Sequence, residues 1–180
     1  FGHNEESEKL DSYIPQIESG DSTNREGHAA KVYFNSLFGK EFTRTASDDV
    51  TNAALNYGYS ILMSTVAKEI VNDGYLTQIG IFHDNMFNEF NLACDLMEPF
   101  RPFIDYMVLK MPHDKFEHDE KMHMMNFLNY KVIIDEREQF VGNAISIYVK
   151  TILNAIDEKE DSSIKFPSYE FKIYASDCIL

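Results

Sequence analysis

Three side chains in the stretch Gln78–Pro102, QIGIFHDNMFNEFNLACDLMEPFRP, have the chemistry of a divalent-metal site: His83, Asp95 and Glu98. His83 ends a short apolar run, and Asp84 and Asn85 after it can turn the chain. Asp95 and Glu98 are three residues apart in a helical pattern and so share one face. A neutral imidazole and carboxylates in one pocket are the usual ligands of a catalytic divalent ion. A third ligand is available in Glu26, in the first turn of an earlier helical pattern. Sequence separation alone neither brings these groups together nor keeps them apart. Each also has an ordinary role: Thr23-x-x-Glu26 fits a capping box, and a lone histidine is often a hydrogen-bonded, partly buried imidazole.

Two other constellations are weaker. His113, His118 and His123 are spaced by five residues, which turns a helix by about 500° and leaves each some 140° from its neighbour's face. Glu120-x-x-His123 resembles half of a di-iron bundle motif, but the chain holds no second Glu-x-x-His.

The elements that must position these groups are helices. Leu10, Tyr13, Ile14 and Ile17 predict a short amphipathic helix ended near Gly20. Asp21, Ser22, Thr23 and Asn24 offer caps for a helix from about Asn24 to Phe38, with Gly39 as its stop. Asp48 or Asp49 caps a long helix to about Val71, closed by Gly74. Its apolar residues surround the wheel, as in a central buried helix, and Tyr59 reads as core. Pro99 and Pro102 interrupt the pattern after Glu98, which then resumes through Phe103, Ile104, Met107 and Val108 and stops at Pro112. Phe116–Leu128 is a further helix. Tyr130–Asp135 and Gln139–Val141 flank a turn and predict a small hairpin near residues 130–141. A last helix runs from Asn143 to Glu158, and the tail from Asp161 holds little regular pattern. The expected fold class is all-α with this one hairpin, divided into an acidic lead-in (1–20), a helical domain (21–160) and a tail (161–180).

Apolar residues make up 44% of the 180, and no run approaches ~18 apolar residues, which excludes a disordered or helix-spanning membrane chain. Cys94 and Cys178 form no spaced framework; Cys94 reads as a buried small hydrophobe, and Cys178 has too few residues after it for a prenylation box. These features predict a reducing, cytosolic setting. The chain begins at Phe1 without a signal-peptide pattern, as a processed protein or part of a longer one would. Net charge is −14, which argues against nucleic-acid binding by the surface at large. Acid is concentrated in residues 1–22, however, whereas Arg25, Lys31, Lys40 and Arg44 outnumber Glu26 and Glu41 in the segment that follows.

Three motifs stand in order: Glu26-Gly-His-Ala-Ala-Lys-Val-Tyr-Phe, Gly80-Ile-Phe-His83-Asp-Asn, and Asn91-Leu-Ala-Cys-Asp-Leu-Met-Glu98-Pro-Phe-Arg-Pro. In this order and spacing the chain, from about Leu10 to Ala155, resembles the CRISPR-associated integrase/endonuclease of the spacer-acquisition machinery, closest to its type II (II-A or II-C) branch. The resemblance implies the family's helical catalytic domain with a small hairpin. The β-rich domain that begins family members has no counterpart in residues 1–20, which do not read as strands.

By position, the resemblance places catalytic metal ligands at Glu26, His83 and Glu98, with Asp95 supporting them from behind. It implies Mg²⁺ or Mn²⁺ as cofactor. The implied reaction joins the 3′-hydroxyl ends of captured double-stranded DNA to the leader–repeat end of a CRISPR array by transesterification. Arg25, Lys31, Lys40, Arg44 and Arg101 are candidate DNA contacts. Implied partners are a second protomer, a small ferredoxin-like adaptation protein and, in type II-A systems, a ring-forming DNA-end binder and the effector nuclease. The implied location is the bacterial cytoplasm, with no membrane role. The competing readings are a non-catalytic helical interaction domain, with Glu26 as a cap and His83 structural, and an acidic DNA mimic.

Overall fold

The computed structural model describes residues 4–17, 23–46 and 49–169. The candidate caps Asp21, Ser22 and Asp48, the stop at Gly20, and Cys178 lie outside the described residues. Elements follow in the order α1 (Asn4–Tyr13), α2 (Arg25–Phe38), α3 (Val50–Asn72), α4 (Asn91–Met97), α5 (Arg101–Lys110), α6 (His118–Met125), β1 (Lys131–Ile134), β2 (Arg137–Phe140) and α7 (Val141–Glu158). Among the described residues the fold class is all-α with one antiparallel hairpin, as expected. Contacts divide the chain into two compact units, residues 1–49 and 50–180.

The first unit pairs α1 with α2. Among its described residues Phe34 is the buried one, with the Phe38 and Phe42 rings 6.4 and 6.0 Å away. The capping box expected at Thr23 does not form. Helix α2 starts one residue later, at Arg25, with Asn24 in the left-handed region (φ 52°) as its N-cap and no side-chain cap bond. Glu26 therefore occupies the second helical position, where its charge still faces the positive end of the helix.

The second unit is built on α3, which packs against α4, α5, α6 and α7. Its buried residues Leu55, Leu62, Val66 and Ile70 come from the all-round apolar pattern. Gly58 lets α3 approach α5 and α6 closely: a Cβ there would stand 2.4 Å from Met124 Cε and 2.5 Å from Ile104 Cγ2. The two prolines interrupt the helical pattern after Glu98, as expected. Pro99 and Pro102 supply no N–H, so a 3₁₀ turn (Glu98–Phe100) separates α4 from α5. The helix expected over 116–128 is shorter, because its last turn tightens to 3₁₀ at Asn126–Asn129. The hairpin closes through Asp135 and Glu136, both left-handed (φ 51° and 59°), the backbone that matches strand twist in two-residue turns. The tail has more order than its pattern promised: Ser168 bridges Ile133, adding to the edge of β1. Cys94 is only half-buried, and its sulfur accepts from Asn88 Nδ2 at 3.6 Å, so it is not the wholly apolar core residue expected.

Candidate active site

The loop between α3 and α4 carries His83, and α4 folds that loop onto itself. Asn91, 3% exposed at the start of α4, donates from Nδ2 to the Gln78 and Asn85 carbonyls at 2.9 and 3.0 Å. Thr77 Oγ1 donates to the Glu89 carbonyl at 2.7 Å and closes the loop's base. Asn85 and Asn88 each accept from the N–H two residues on, at Phe87 and Phe90, as asparagine turns do.

One helical turn beyond Asn91, Asp95 gathers the tip of the loop. Its Oδ2 accepts from the Ile81 and Phe82 N–H groups at 2.6 and 3.0 Å. Its Oδ1 accepts from the His83 N–H at 3.1 Å and lies 2.6 Å from His83 Nδ1. Burial pushes the Asp95 carboxyl up, but the His83 ring and the three backbone donors outweigh it and hold the group below the ordinary carboxylate range. The loop comes this near because residue 80 is glycine. A Cβ there would meet the His83 carbonyl at 2.2 Å and Asp95 Oδ2 at 2.8 Å. With Nδ1–H donated to Asp95, the neutral imidazole carries its lone pair on Nε2. The ring is 44% exposed and the Asp95 side chain only 8%, so the carboxylate is a buried support for a histidine that faces outward.

Glu98 stands in the 3₁₀ turn with half of its side chain exposed, and Arg101 Nη1 donates to its Oε1 at 2.6 Å. That arginine is held in turn. Its guanidinium lies 4.5 Å from the centroid of Tyr59, whose hydroxyl donates to Asp105 Oδ1. Tyr59 and Asp105 are 9% and 2% exposed. Burial, then the Asp105 charge, drives the Tyr59 hydroxyl well above its usual range, with Arg101 opposing. Sequence reasoning placed Tyr59 in the core and passed over Asp105. The available signal was an acid four residues after Arg101, on the same face, interrupting the apolar row Phe103, Ile104, Met107 and Val108.

The structure thus brings His83 together with Asp95, and Glu98 together with Arg101, all in the second unit. Glu26 lies on the first, exposed in the first turn of α2. Among the described residues no three His, Cys, Asp or Glu side chains gather as a metal site. The cationic candidates on the first unit differ in setting. Lys31 and Lys40 are exposed, whereas Arg25 and Arg44 lie over the rings of Tyr13 and Phe34 at 5.8 and 5.4 Å. Members of the two weaker constellations have structural roles. Glu120 is buried, closes a capping box with Glu117 and pairs with Lys115 at 3.3 Å, while His123 packs on Tyr130. His113 Nδ1 lies 3.2 Å from Thr51 Oγ1.

The all-α fold with its one hairpin has a solved counterpart. A casposase bound to integration product superposes with a TM-score of 0.68 at 24% identity, over 82% of this chain and 53% of that one, and so shares its fold. Residues 3–138 match the family model for CRISPR associated protein Cas1, and the chain belongs to that family. A CRISPR-associated endonuclease Cas1 of Neisseria meningitidis serogroup C is 34% identical over 92% of this chain and 56% of its own length. A second, from Francisella tularensis subsp. novicida, is 34% identical over 48% of this chain and 30% of its own length. The chain therefore spans little more than half of the first relative. Among the described residues no helix is long and apolar enough to cross a membrane.

Proposed function

We propose that this chain carries the catalytic helical domain, within residues 21–160, of a metal-dependent DNA integrase and endonuclease of CRISPR adaptation. It would join the 3′-hydroxyl ends of captured double-stranded DNA to the leader–repeat end of a CRISPR array. The observation that carries the reading is the Asp95–His83 contact, which presents an imidazole nitrogen outward from a buried carboxylate, as metal-binding histidines are commonly held.

The donor set fits a divalent ion. His83 offers Nε2, and Glu98 keeps Oε2 clear of its bond to Arg101. Glu26 is an exposed carboxylate of the kind such an ion takes as its third ligand. Hard carboxylates favour Mg²⁺, and one imidazole widens tolerance to Mn²⁺. Bound there, the ion would supply Lewis-acid stabilisation of the phosphoryl oxygens. Asp95 holds the histidine tautomer, and Arg101 restrains Glu98 and adds positive charge beside it. In the reaction the 3′-oxygen of the captured strand bonds to phosphorus as the bond to the array strand's 3′-oxygen breaks. The attacking hydroxyl's proton is lost and the leaving oxygen gains one. One phosphodiester replaces another, so no energy source is consumed and the reverse reaction runs at the same site.

The proposed partners are a second protomer, the small ferredoxin-like adaptation protein and, for a type II-A system, the ring-forming end binder and the effector nuclease, in the bacterial cytoplasm. Strand transfer by the natural full-length protein with its small partner and Mg²⁺ or Mn²⁺ tests the reading. Glu26→Ala, His83→Ala and Glu98→Ala are each expected to abolish transfer while helical circular dichroism persists. Activity retained in all three variants would favour the non-catalytic interaction domain instead.

A further inference from the structure

Residues 159–169, which follow α7, run back to the turn that holds Glu98. Ser168 N–H donates to the Ile133 carbonyl at 2.8 Å, and Ile133 N–H donates to the Ser168 carbonyl at 3.1 Å. This antiparallel bridge lays the segment against the free edge of β1. Upstream, Lys165 N–H donates to Thr151 Oγ1 at 3.2 Å, and Lys165 Nζ pairs with Asp135 at 2.9 Å. The Phe166 ring stacks 5.6 Å from Tyr148, which itself lies 5.7 Å from Phe100.

The segment delivers Tyr169. Its ring is 6.0 Å from Phe103, and its hydroxyl donates to the Pro99 carbonyl at 2.6 Å. Pro99 follows Glu98 directly, inside the 3₁₀ turn that the two prolines impose between α4 and α5. The α-helical ladder gives way to 3₁₀ bonding at that turn, where Arg101 holds the Glu98 carboxylate and the Tyr169 bond adds a restraint on the backbone one residue on. Burial, with Tyr148 adding, drives the Tyr169 hydroxyl well above its usual range, so it stays a donor.

We propose that Tyr169 is a positioning residue for Glu98: delivered by the strand added to β1, its hydroxyl fixes the Pro99 carbonyl and with it the preceding carboxylate. The inference rests on the reading of Glu98 as a metal ligand. It also gives the hairpin a role, because β1 sets the register in which Tyr169 arrives. The segment lies beyond residues 3–138, the span matched by the family model.

The test compares parent, Tyr169→Phe, Ser168→Pro and Glu98→Ala in the natural full-length protein. Mn²⁺ affinity is read directly from the paramagnetic resonance of the free ion, alongside strand transfer as a function of Mn²⁺ and the melting temperature. Losing one hydroxyl donor is expected to weaken Mn²⁺ binding about three- to tenfold in Tyr169→Phe, with the rate recovering at saturating Mn²⁺. Ser168→Pro, which deletes the bridge donor, should weaken it at least as much. Parent-like Mn²⁺ affinity in Tyr169→Phe, whatever its melting temperature, makes Tyr169 merely structural and overturns the proposal, even if Ser168→Pro fails to fold. Glu98→Ala separates the two levels. If it binds Mn²⁺ like the parent, the ligand reading falls and the positioning role with it. If it loses binding while the other variants keep theirs, only the positioning role falls.

Discussion

Asp95 performs two tasks with one carboxylate. It folds the loop by accepting three consecutive backbone N–H groups, and it orients the His83 ring. A side chain that satisfies so many donors cannot be moved without releasing the loop, and Gly80 is what lets the loop close on it. Gly80→Ala must push its Cβ against a backbone carbonyl as well as against Asp95, and a carbonyl yields less readily than a long side chain. Amide hydrogen exchange at residues 81–83 is therefore expected to accelerate in Gly80→Ala, with strand transfer down on the order of a hundredfold through displacement of His83. Unchanged exchange at those amides would show that the glycine is not required. Burial and the Asp95 and Glu98 charges raise the nearby Tyr148 hydroxyl to about 12, so it remains neutral beside both carboxylates.

Among the elements, α6 shows how an acid can be structural where its spacing resembled a metal motif. Glu120 reaches back to the Glu117 N–H at 2.9 Å and pairs with Lys115. The bond from Glu117 first, then its own N–H and Lys115, hold its carboxyl below the ordinary value of 4.5 against the opposing effect of burial. A folded-state pKa below the unfolded one means that the stability gained is fully present above pH 4.5 and is lost as pH falls through the folded value. Glu120→Gln is accordingly expected to melt below the parent at neutral pH, and the gap should close in acid, where the parent's carboxyl is protonated too. Thermal scans of both proteins from pH 7 downward check this, and a gap that persists at the acid end would contradict it. The break between α4 and α5 is a second case in which local chemistry decides an element's end. Two missing N–H groups there leave a tight turn on which Glu98 projects from a helix terminus rather than from a continuous face.

For the whole molecule the question is how a chain of net charge −14 would meet the DNA proposed as its substrate. Cations of the first unit, Arg25, Lys31, Lys40 and Arg44, are the proposed phosphate contacts, with Lys31 and Lys40 the most open to solvent. Acidic faces elsewhere can meet basic surfaces of partner proteins and steer assembly. Reversing these four charges in the full-length complex is expected to weaken DNA binding across sequences. The slope of log affinity against log salt should shrink by about one for each cation that meets a phosphate. Unaltered affinity and slope would remove these residues from the interface.

The sequence by itself determined the helical class, the hairpin, the proline break and the family, because periodicity, turn residues and motif order are local or linear properties. It also singled out His83, Asp95 and Glu98, which lie within one short stretch. Contacts between residues far apart in the chain decided the rest. Tyr59 meets Asp105 across 46 positions and Tyr169 meets Pro99 across 70, pairings that no spacing rule reaches. The start of α2 turned on the conformation of one residue, Asn24, at a helix end where several caps compete almost equally. Residue types thus announced which groups can do chemistry, whereas only tertiary packing settled which of them are held by others and in which direction they point.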